Sequence, residues 1–315
     1  MSESSKSLPP IAVVGGGGFG RALASAAHRN EREVLLWSRQ QFDAPYSVTT
    51  NYDDLRKAEL IFVAVPSPYV PDAANALGAI LDGSHLLVHV SRGLLGDELI
   101  TLSQHLRRVT PCRRVGALAG PLDAEALQEG KPTGAIVGTR FPEVASAVRE
   151  AIGSHTLRIY ESRDVVGVEI AAAIVGLMAL AAGYSRAQGA SPATLSVFLT
   201  RGMSEAVRIG GALGASAETF RGLAGFGDLM AVVGGDDRPE VRLGTALASG
   251  LALEEAAGKA GAHIEGVAIA SHIVAFAKRA GLDAPMAEAI SGVLRGTITP
   301  RGAIDLLMSR RAGTE

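Results

Sequence analysis

The sequence predicts an α/β protein: a doubly wound, mostly parallel sheet at the N-terminus followed by an all-α C-terminal domain. Three observations carry this. The first half repeats short apolar runs that do not alternate with polar residues, as strands buried on both faces require. Stretches with helical spacing lie between those runs, which gives a βαβ pattern. After about Ser162 the runs stop, and alanine-rich stretches punctuated by Gly and Pro take over, which reads as a set of packed helices.

The elements follow in order. Ile11–Val14 is the first strand, and a helix is expected over Gly20–Asn30. Glu33–Trp37, Leu60–Val65 (closed by Pro66), Leu86–Val90 (closed by Ser91 and Gly93) and Val115–Ala119 (closed by Gly120 and Pro121) are four further strands. Ala135–Val137 and Leu157–Tyr160 are expected as added edge strands. Helical spacing then covers Val165–Ala182, Ala193–Leu213, Ala217–Phe220, Leu253–Ala260, Val267–Ala280, Pro285–Arg295 and Pro300–Ser309. The expected domains are residues 1–162 and 163–315.

Composition narrows the function classes. A net charge of −2 over 315 residues offers no pull towards nucleic acid or anionic membrane. The single cysteine, Cys112, makes no internal disulfide and fits a small buried residue better than a nucleophile. The start is polar with no apolar core of a signal peptide. The longest apolar stretch, Ile170–Tyr184, is short of the ~20 residues of a membrane span and reads as a buried helix. A cytoplasmic protein is expected.

The glycines of IAVVGGGGFG supply the first chemistry. Gly15, Gly17 and Gly20 form G-x-G-x-x-G directly after the first strand and at the opening of the first helix. The first glycine makes the tight turn, the second lets backbone approach a pyrophosphate, and the third lets helix and strand pack closely. The helix N-terminus meets the phosphates with free N–H groups. In this strand–turn–helix context the motif predicts a Rossmann-type site for a nicotinamide dinucleotide, with Gly18 and Phe19 completing the turn. NAD-specific sites place Asp or Glu at the end of the second strand. Here that position reads Trp37-Ser38-Arg39, so Arg39 is either a solvated strand-end arginine or a partner for a 2′-phosphate, and the reading leans to NADP over NAD. Val65-Pro66-Ser67 marks where the chain turns over the cofactor.

With these motifs in place, the chain resembles the bacterial NAD(P)-dependent glycerol-3-phosphate dehydrogenases over nearly its whole length. The glycine turn, the tryptophan-ended second strand, the Val65–Ser67 turn and the Gly120-Pro121 turn all match. The strongest match is Thr200–Leu229, TRGMSEAVRIGGALGASAETFRGLAGFGDL. The resemblance implies cofactor contacts at Pro66, Ala124 and Glu265, substrate contacts at Arg92, Gly120 and Arg238, and catalytic roles for Asp228 and Arg92. It implies reduction of dihydroxyacetone phosphate by NAD(P)H, or the reverse, with a lysine polarising the carbonyl and protonating the alkoxide. It also implies a small anionic substrate and a possible homodimer.

The sequence departs from the family at the catalytic positions. Val175 stands where the resemblance places the lysine, and Gly176 where it places an asparagine. The second lysine is Arg92, a threonine is Val232, and a Ser-Arg-Asn run is Arg238-Pro239-Glu240. Leu122 replaces a small hydroxyl residue. Removing a general acid costs ~10²–10⁴-fold in rate, and Glu240 adds negative charge where a phosphate dianion would lie. Guanidinium groups at 92 and 238 can still hold an anion.

Other residues have two readings each. Asp228 fits a helix N-cap as well as a site. Arg201 and Glu205 fit an i,i+4 pair. Lys131 fits a surface loop, and His263 is a candidate replacement proton donor. The functional expectation is an NAD(P)-dependent oxidoreductase with an altered active site. The alternatives are a cofactor-binding protein without turnover, serving as sensor or assembly partner, and a dehydrogenase of a different small anionic alcohol or ketone. β-Hydroxyacid and ketopantoate reductases share the layout but also use a lysine in the corresponding helix.

Overall fold

The computed structural model describes residues 9–235, 238–261 and 265–309, with the side chains of 265–267 outside the description. The chain forms two compact units, Met1–Arg92 with Leu102–Val168, and Gly93–Thr101 with Glu169–Glu315.

In the first unit the strands are β1 (Ile11–Val14), β2 (Val34–Trp37), β3 (Ser47–Thr49), β4 (Leu60–Val63) and β5 (Leu86–His89). A short β6 (Leu94–Leu95) and β7 (Ile100–Thr101) follow, then β8 (Val115–Ala119), β9 (Thr133–Thr139) and β10 (Leu157–Ser162). Helices α1 (Gly18–Arg29), α2 (Val70–Ile80), α3 (Leu102–Val109), α4 (Ala124–Glu129) and α5 (Pro142–Ile152) connect them. The sheet runs β10-β9-β8-β5-β4-β1-β2-β3. β1 pairs with β2 and β4 in parallel register, Ile11 opposite Val34 and Leu60. Sequence order reverses direction across the sheet at β1, so the carboxyl ends of β1 and β4 flank the switch point where such sheets bind ligands. Residues of β1, β4 and β5 are fully buried, as their unbroken apolar runs require. Val144, Val148 and Ile152 of α5 and Leu23 of α1 fill the same core.

Two features differ from the sequence reading. Of the two expected edge strands only β10 is an edge; β9 lies inside the sheet, antiparallel to β8 and parallel to β10. β3, only three residues long and partly exposed, forms the other edge and carries too little pattern to be seen in sequence.

The second unit is helical: α6 (Val165–Ala187, its first turn counted with the first unit), α7 (Pro192–Ala212), α8 (Ala217–Arg221), α9 (Asp228–Gly234), α10 (Pro239–Ala248), α11 (Leu253–Ala260), α12 (Glu265–Ala280), α13 (Pro285–Leu294) and α14 (Pro300–Met308). The antiparallel β6–β7 hairpin belongs to this unit and packs on α12. Asp97 in its turn accepts from His272 Nδ1 at 2.7 Å, and its carbonyl from Arg279 Nη2 at 2.6 Å. At 23 residues α6 is longer than the apolar stretch suggested. It is long and apolar enough to cross a membrane by length and composition, and 89% of its most apolar window is buried within the protein. Helix α10 crosses it at touching distance. A Cβ on Gly183 would overlap the Val241 carbonyl, and one on Gly244 would overlap that of Leu180, so both positions admit glycine alone.

Glu205 has a structural task. Its carboxylate accepts from the backbone N–H groups of Met286 (2.8 Å) and Ala287 (3.0 Å) and caps α13. Burial pushes its carboxyl above the usual range, and the two amide donors pull the other way. A Glu205→Gln variant keeps one acceptor and turns an NH₂ towards the second amide. It is expected to lose ~1–3 kcal/mol in urea unfolding, the cost of one orphaned buried donor.

Candidate active site

The glycine turn lies at the switch point of the first unit. Gly15 has φ +128°, and a Cβ there would strike the Ala64 carbonyl at the end of β4. A Cβ on Gly20 would strike the Gly15 carbonyl, which locks α1 against β1. Gly17 and Gly18 are the opposite case: exposed, with nothing within 4 Å of where a Cβ would point. Gly17 caps α1 without any side-chain hydrogen bond, so the first N–H groups of the helix keep their donors for a ligand. Two tight glycines shape the turn, and two open ones leave a cradle. That arrangement fits a dinucleotide pyrophosphate.

The neighbouring residues shape the rest of this half. Phe19 is half-buried and packs on the sheet core. Arg21 donates from Nε to the Gly16 carbonyl at 2.7 Å, and its guanidinium sits 3.9 Å above the Phe42 ring, a cation–π contact. Ser38 lies against Gly16, and Arg39 is exposed just beyond β2. Pro66 follows β4 and precedes a short 3₁₀ turn, and Ser91 Oγ donates to the Val65 carbonyl at 2.6 Å. Arg92 follows β5 and Gly120 follows β8, and the two meet: Arg92 Nη2 donates to the Gly120 carbonyl at 3.4 Å. Gly120 has φ +107°, a backbone shape that favours glycine. Ala124 is the first residue of α4, whose cap is Asp123.

The second unit holds a separate polar centre. Leu223–Gly227 forms one π-helical turn that runs directly into α9. Asp228 is therefore already helical, and Gly227 holds the cap position without a side-chain bond, which removes the N-cap reading of Asp228. Its side chain is 0% exposed and accepts from Arg238 Nη2 at 2.7 Å; the arginine side chain is 11% exposed. Close by, Glu240 Oε1 lies 4.0 Å from where a Cβ on Gly176 would be. Val175 is fully buried in α6, and Val232 in α9. The structure thus joins Asp228, Arg238, Glu240 and the Val175–Gly176 turn in one neighbourhood.

The four lysines among the described residues, Lys57, Lys131, Lys259 and Lys278, are all exposed. Lys131 bonds Glu125 and Glu129 at 2.7 Å each, and these partners hold its ammonium above the usual range. The side chain of Glu265, and His263 entirely, lie outside the described residues. Sequence reasoning grouped Arg238 with substrate but did not see its pairing with Asp228. Nor did it see Arg21 and Phe42 beside the turn; the arginine one position past the last motif glycine was the available signal.

Comparison with known proteins supplies the family. Residues 10–52 and 42–145 match the model of the NAD-dependent glycerol-3-phosphate dehydrogenase N-terminus, and residues 164–305 match that of its C-terminus. The glycerol-3-phosphate dehydrogenase [NAD(P)+] of Acidithiobacillus ferrooxidans is 35% identical, covering 96% of this chain and 94% of the relative. The protein of that name from Rhodospirillum rubrum is 32% identical over 95% and 92%. The crystal structure of glycerol-3-phosphate dehydrogenase from Coxiella burnetii superposes with a TM-score of 0.89 at 23% identity, covering 96% of this chain and 99% of that one. A ketopantoate reductase structure from Ralstonia eutropha reaches a TM-score of 0.60 at 16% identity over 95% and 99%. With both halves matched and relatives above 30% identity along almost its full length, the chain belongs to the NAD-dependent glycerol-3-phosphate dehydrogenase family.

Proposed function

We propose that this chain is an NAD(P)-dependent oxidoreductase that interconverts a small anionic alcohol and its ketone, with an active site altered from the glycerol-3-phosphate dehydrogenase type. The observation that carries the cofactor half is the open cradle at Gly17 and Gly18 at the head of α1. When bound there, the nicotinamide supplies or takes up hydride. The chain's residues do the rest. Gly17 and Gly18 admit the pyrophosphate to the helix N-terminus, and Arg92, beside Gly120, offers a guanidinium to an anionic substrate. The altered half rests on Val175, buried and apolar where the resemblance places a lysine, and on the exposure of every described lysine.

A second reading, cofactor binding without turnover, draws on the same Val175. One titration tests both: NADPH and NADH are added to the protein, then dihydroxyacetone phosphate, while the nicotinamide absorbance is followed. Oxidation at an enzyme-like rate supports the oxidoreductase. Tight binding without oxidation moves the chain to a different anionic substrate or to the second reading, and no binding of either cofactor overturns both.

Arg39 supports NADP as the preferred form, because a guanidinium beyond β2 pairs with a 2′-phosphate. Arg39→Asp is expected to weaken NADPH binding by at least about tenfold, ~1.4 kcal/mol, with NADH unchanged or tighter, read by fluorescence titration. Equal losses for both forms would count against this role.

A further inference from the structure

At the far end of α1 from the glycine turn, the first unit holds a cavity of about 410 Å³, a volume in the range of small-molecule sites. Three helices end on it. Arg29 and Asn30 come from the last turn and cap of α1, Leu127 and Glu129 from the end of α4, and Ile152 from the end of α5. The turn before β10 and the start of β9 form the other side. Ala26, Leu127, Ile152 and Leu157 are buried and make an apolar floor.

The donors on the wall are already spent. Arg29 donates to the Leu127 and Gln128 carbonyls, and Asn30 Nδ2 to those of Ala151 (3.2 Å) and Gly153 (2.8 Å). These bonds serve carbonyls that helix ends leave without intrahelical partners. Lys131 bonds Glu125 and Glu129 at 2.7 Å each, and the Thr133 hydroxyl donates to the Pro121 carbonyl at 2.9 Å. Acceptors remain. Glu129 meets Lys131 through Oε2, which leaves Oε1, and Asn30 gives its amide nitrogen, which leaves Oδ1. The charges of Arg29, Lys131, Glu125 and Glu129 cancel, while the carboxyl ends of α1 and α5 each add roughly half a negative charge. An anion would meet that potential and two cations already engaged. A wall rich in acceptors suits a ligand that brings both donors and positive charge.

We propose that this cavity is a binding site for a small organic cation, an ammonium or guanidinium carried on an apolar stem. The stem lies on the floor, and the cationic head donates to the oxygens of Glu129 and Asn30. Helix α1 has 12 residues, so the Gly17 cradle and the cavity lie about 18 Å apart, and both can be filled at once. The site is independent of the oxidoreductase reading above.

Calorimetric titration of the full chain provides the test. The probes are phenethylammonium, with 2-phenylethanol and phenylacetate as neutral and negative molecules bearing the same ring. His155 stands on the exposed lip, so the titrations are run at pH 8, on the neutral side of histidine titration. Phenethylammonium is expected to bind at least about tenfold more tightly than either control, the scale of one charge-assisted hydrogen bond, and equally well with and without saturating NADPH. Glu129→Gln, a change at an exposed side chain, is expected to erase that preference. Lys131→Met, which releases both glutamates, is expected to strengthen phenethylammonium binding severalfold. Equal binding of all three probes, no binding of phenethylammonium up to about 10 mM, displacement by NADPH, or an unchanged preference in Glu129→Gln would each overturn the site.

Discussion

A Gly17→Leu variant is expected to melt at the wild-type temperature and to bind neither NADH nor NADPH. A Cβ at Gly17 meets nothing within 4 Å, so the folded protein accommodates the longer side chain at no packing cost. The isobutyl group then fills the space that gives backbone N–H groups access to a pyrophosphate. Affinity should fall at least about a hundredfold, ~2.7 kcal/mol. Gly20→Ala, three residues on, is the control with the opposite signature. Its single methyl would meet the Gly15 carbonyl, and backbone cannot swing aside as a side chain can. That variant should lose ~1–3 kcal/mol or more of stability as well as the cofactor. Thermal melts beside fluorescence titrations of both variants would decide the matter. Undiminished NADPH binding by Gly17→Leu would move the cofactor away from this turn.

The second large effect is expected at Asp228. Asp228→Ala leaves the Arg238 guanidinium, 11% exposed, with neither its carboxylate partner nor ready access to water. Removing one member of a buried pair costs ~3–5 kcal/mol, a sizeable part of a marginally stable fold. Removing both, in Asp228→Ala with Arg238→Met, should recover most of that loss, because the penalty lies in the stranded charge rather than in the absent attraction. Urea unfolding of the four-member cycle measures the coupling directly. A coupling below ~0.5 kcal/mol would show that the two side chains are solvated in solution and would take the pair out of the site.

What was readable in the sequence follows from the range over which each feature is encoded. The strand–glycine–helix unit at Ile11–Arg29 is local: every residue that defines it lies within one short stretch, and the φ of Gly15 and the closeness of Gly20 follow from the motif. The buried strands β4, β5 and β8 announce themselves by unbroken apolar runs. Helix α10 did not, because its apolar face is interrupted by Arg242, Gly244 and Thr245, and the glycine that weakens its pattern is the one that lets it cross α6 closely. Glu205 looked like a local helix pair, but its acceptors bind amides 81 and 82 residues away. Arg92 and Gly120 are 28 residues apart and meet only because β5 and β8 are neighbours in the sheet. Asp228 and Arg238 are ten residues apart and meet where a π turn runs into α9 with the aspartate buried and the arginine at the cap of α10. Neither leaves a periodic trace.

The hairpin at Gly93–Thr101 has a consequence for how the protein is made. Residues on either side of it belong to the sheet unit, while the hairpin itself belongs to the helical one. Its Leu94 and Leu99 are buried, and His272 and Arg279, which grip Asp97, are translated about 175 residues later. On a ribosome, where the N-terminal portion folds first, this ribbon emerges long before α12 exists to receive it. Two apolar side chains and an acidic turn stay uncovered until synthesis is nearly finished. A fragment ending at Val168 would keep them uncovered for good. Expressing the two halves as separate polypeptides should therefore give a sticky N-terminal piece, whereas co-expression, with the hairpin free to find its helix, restores a soluble pair.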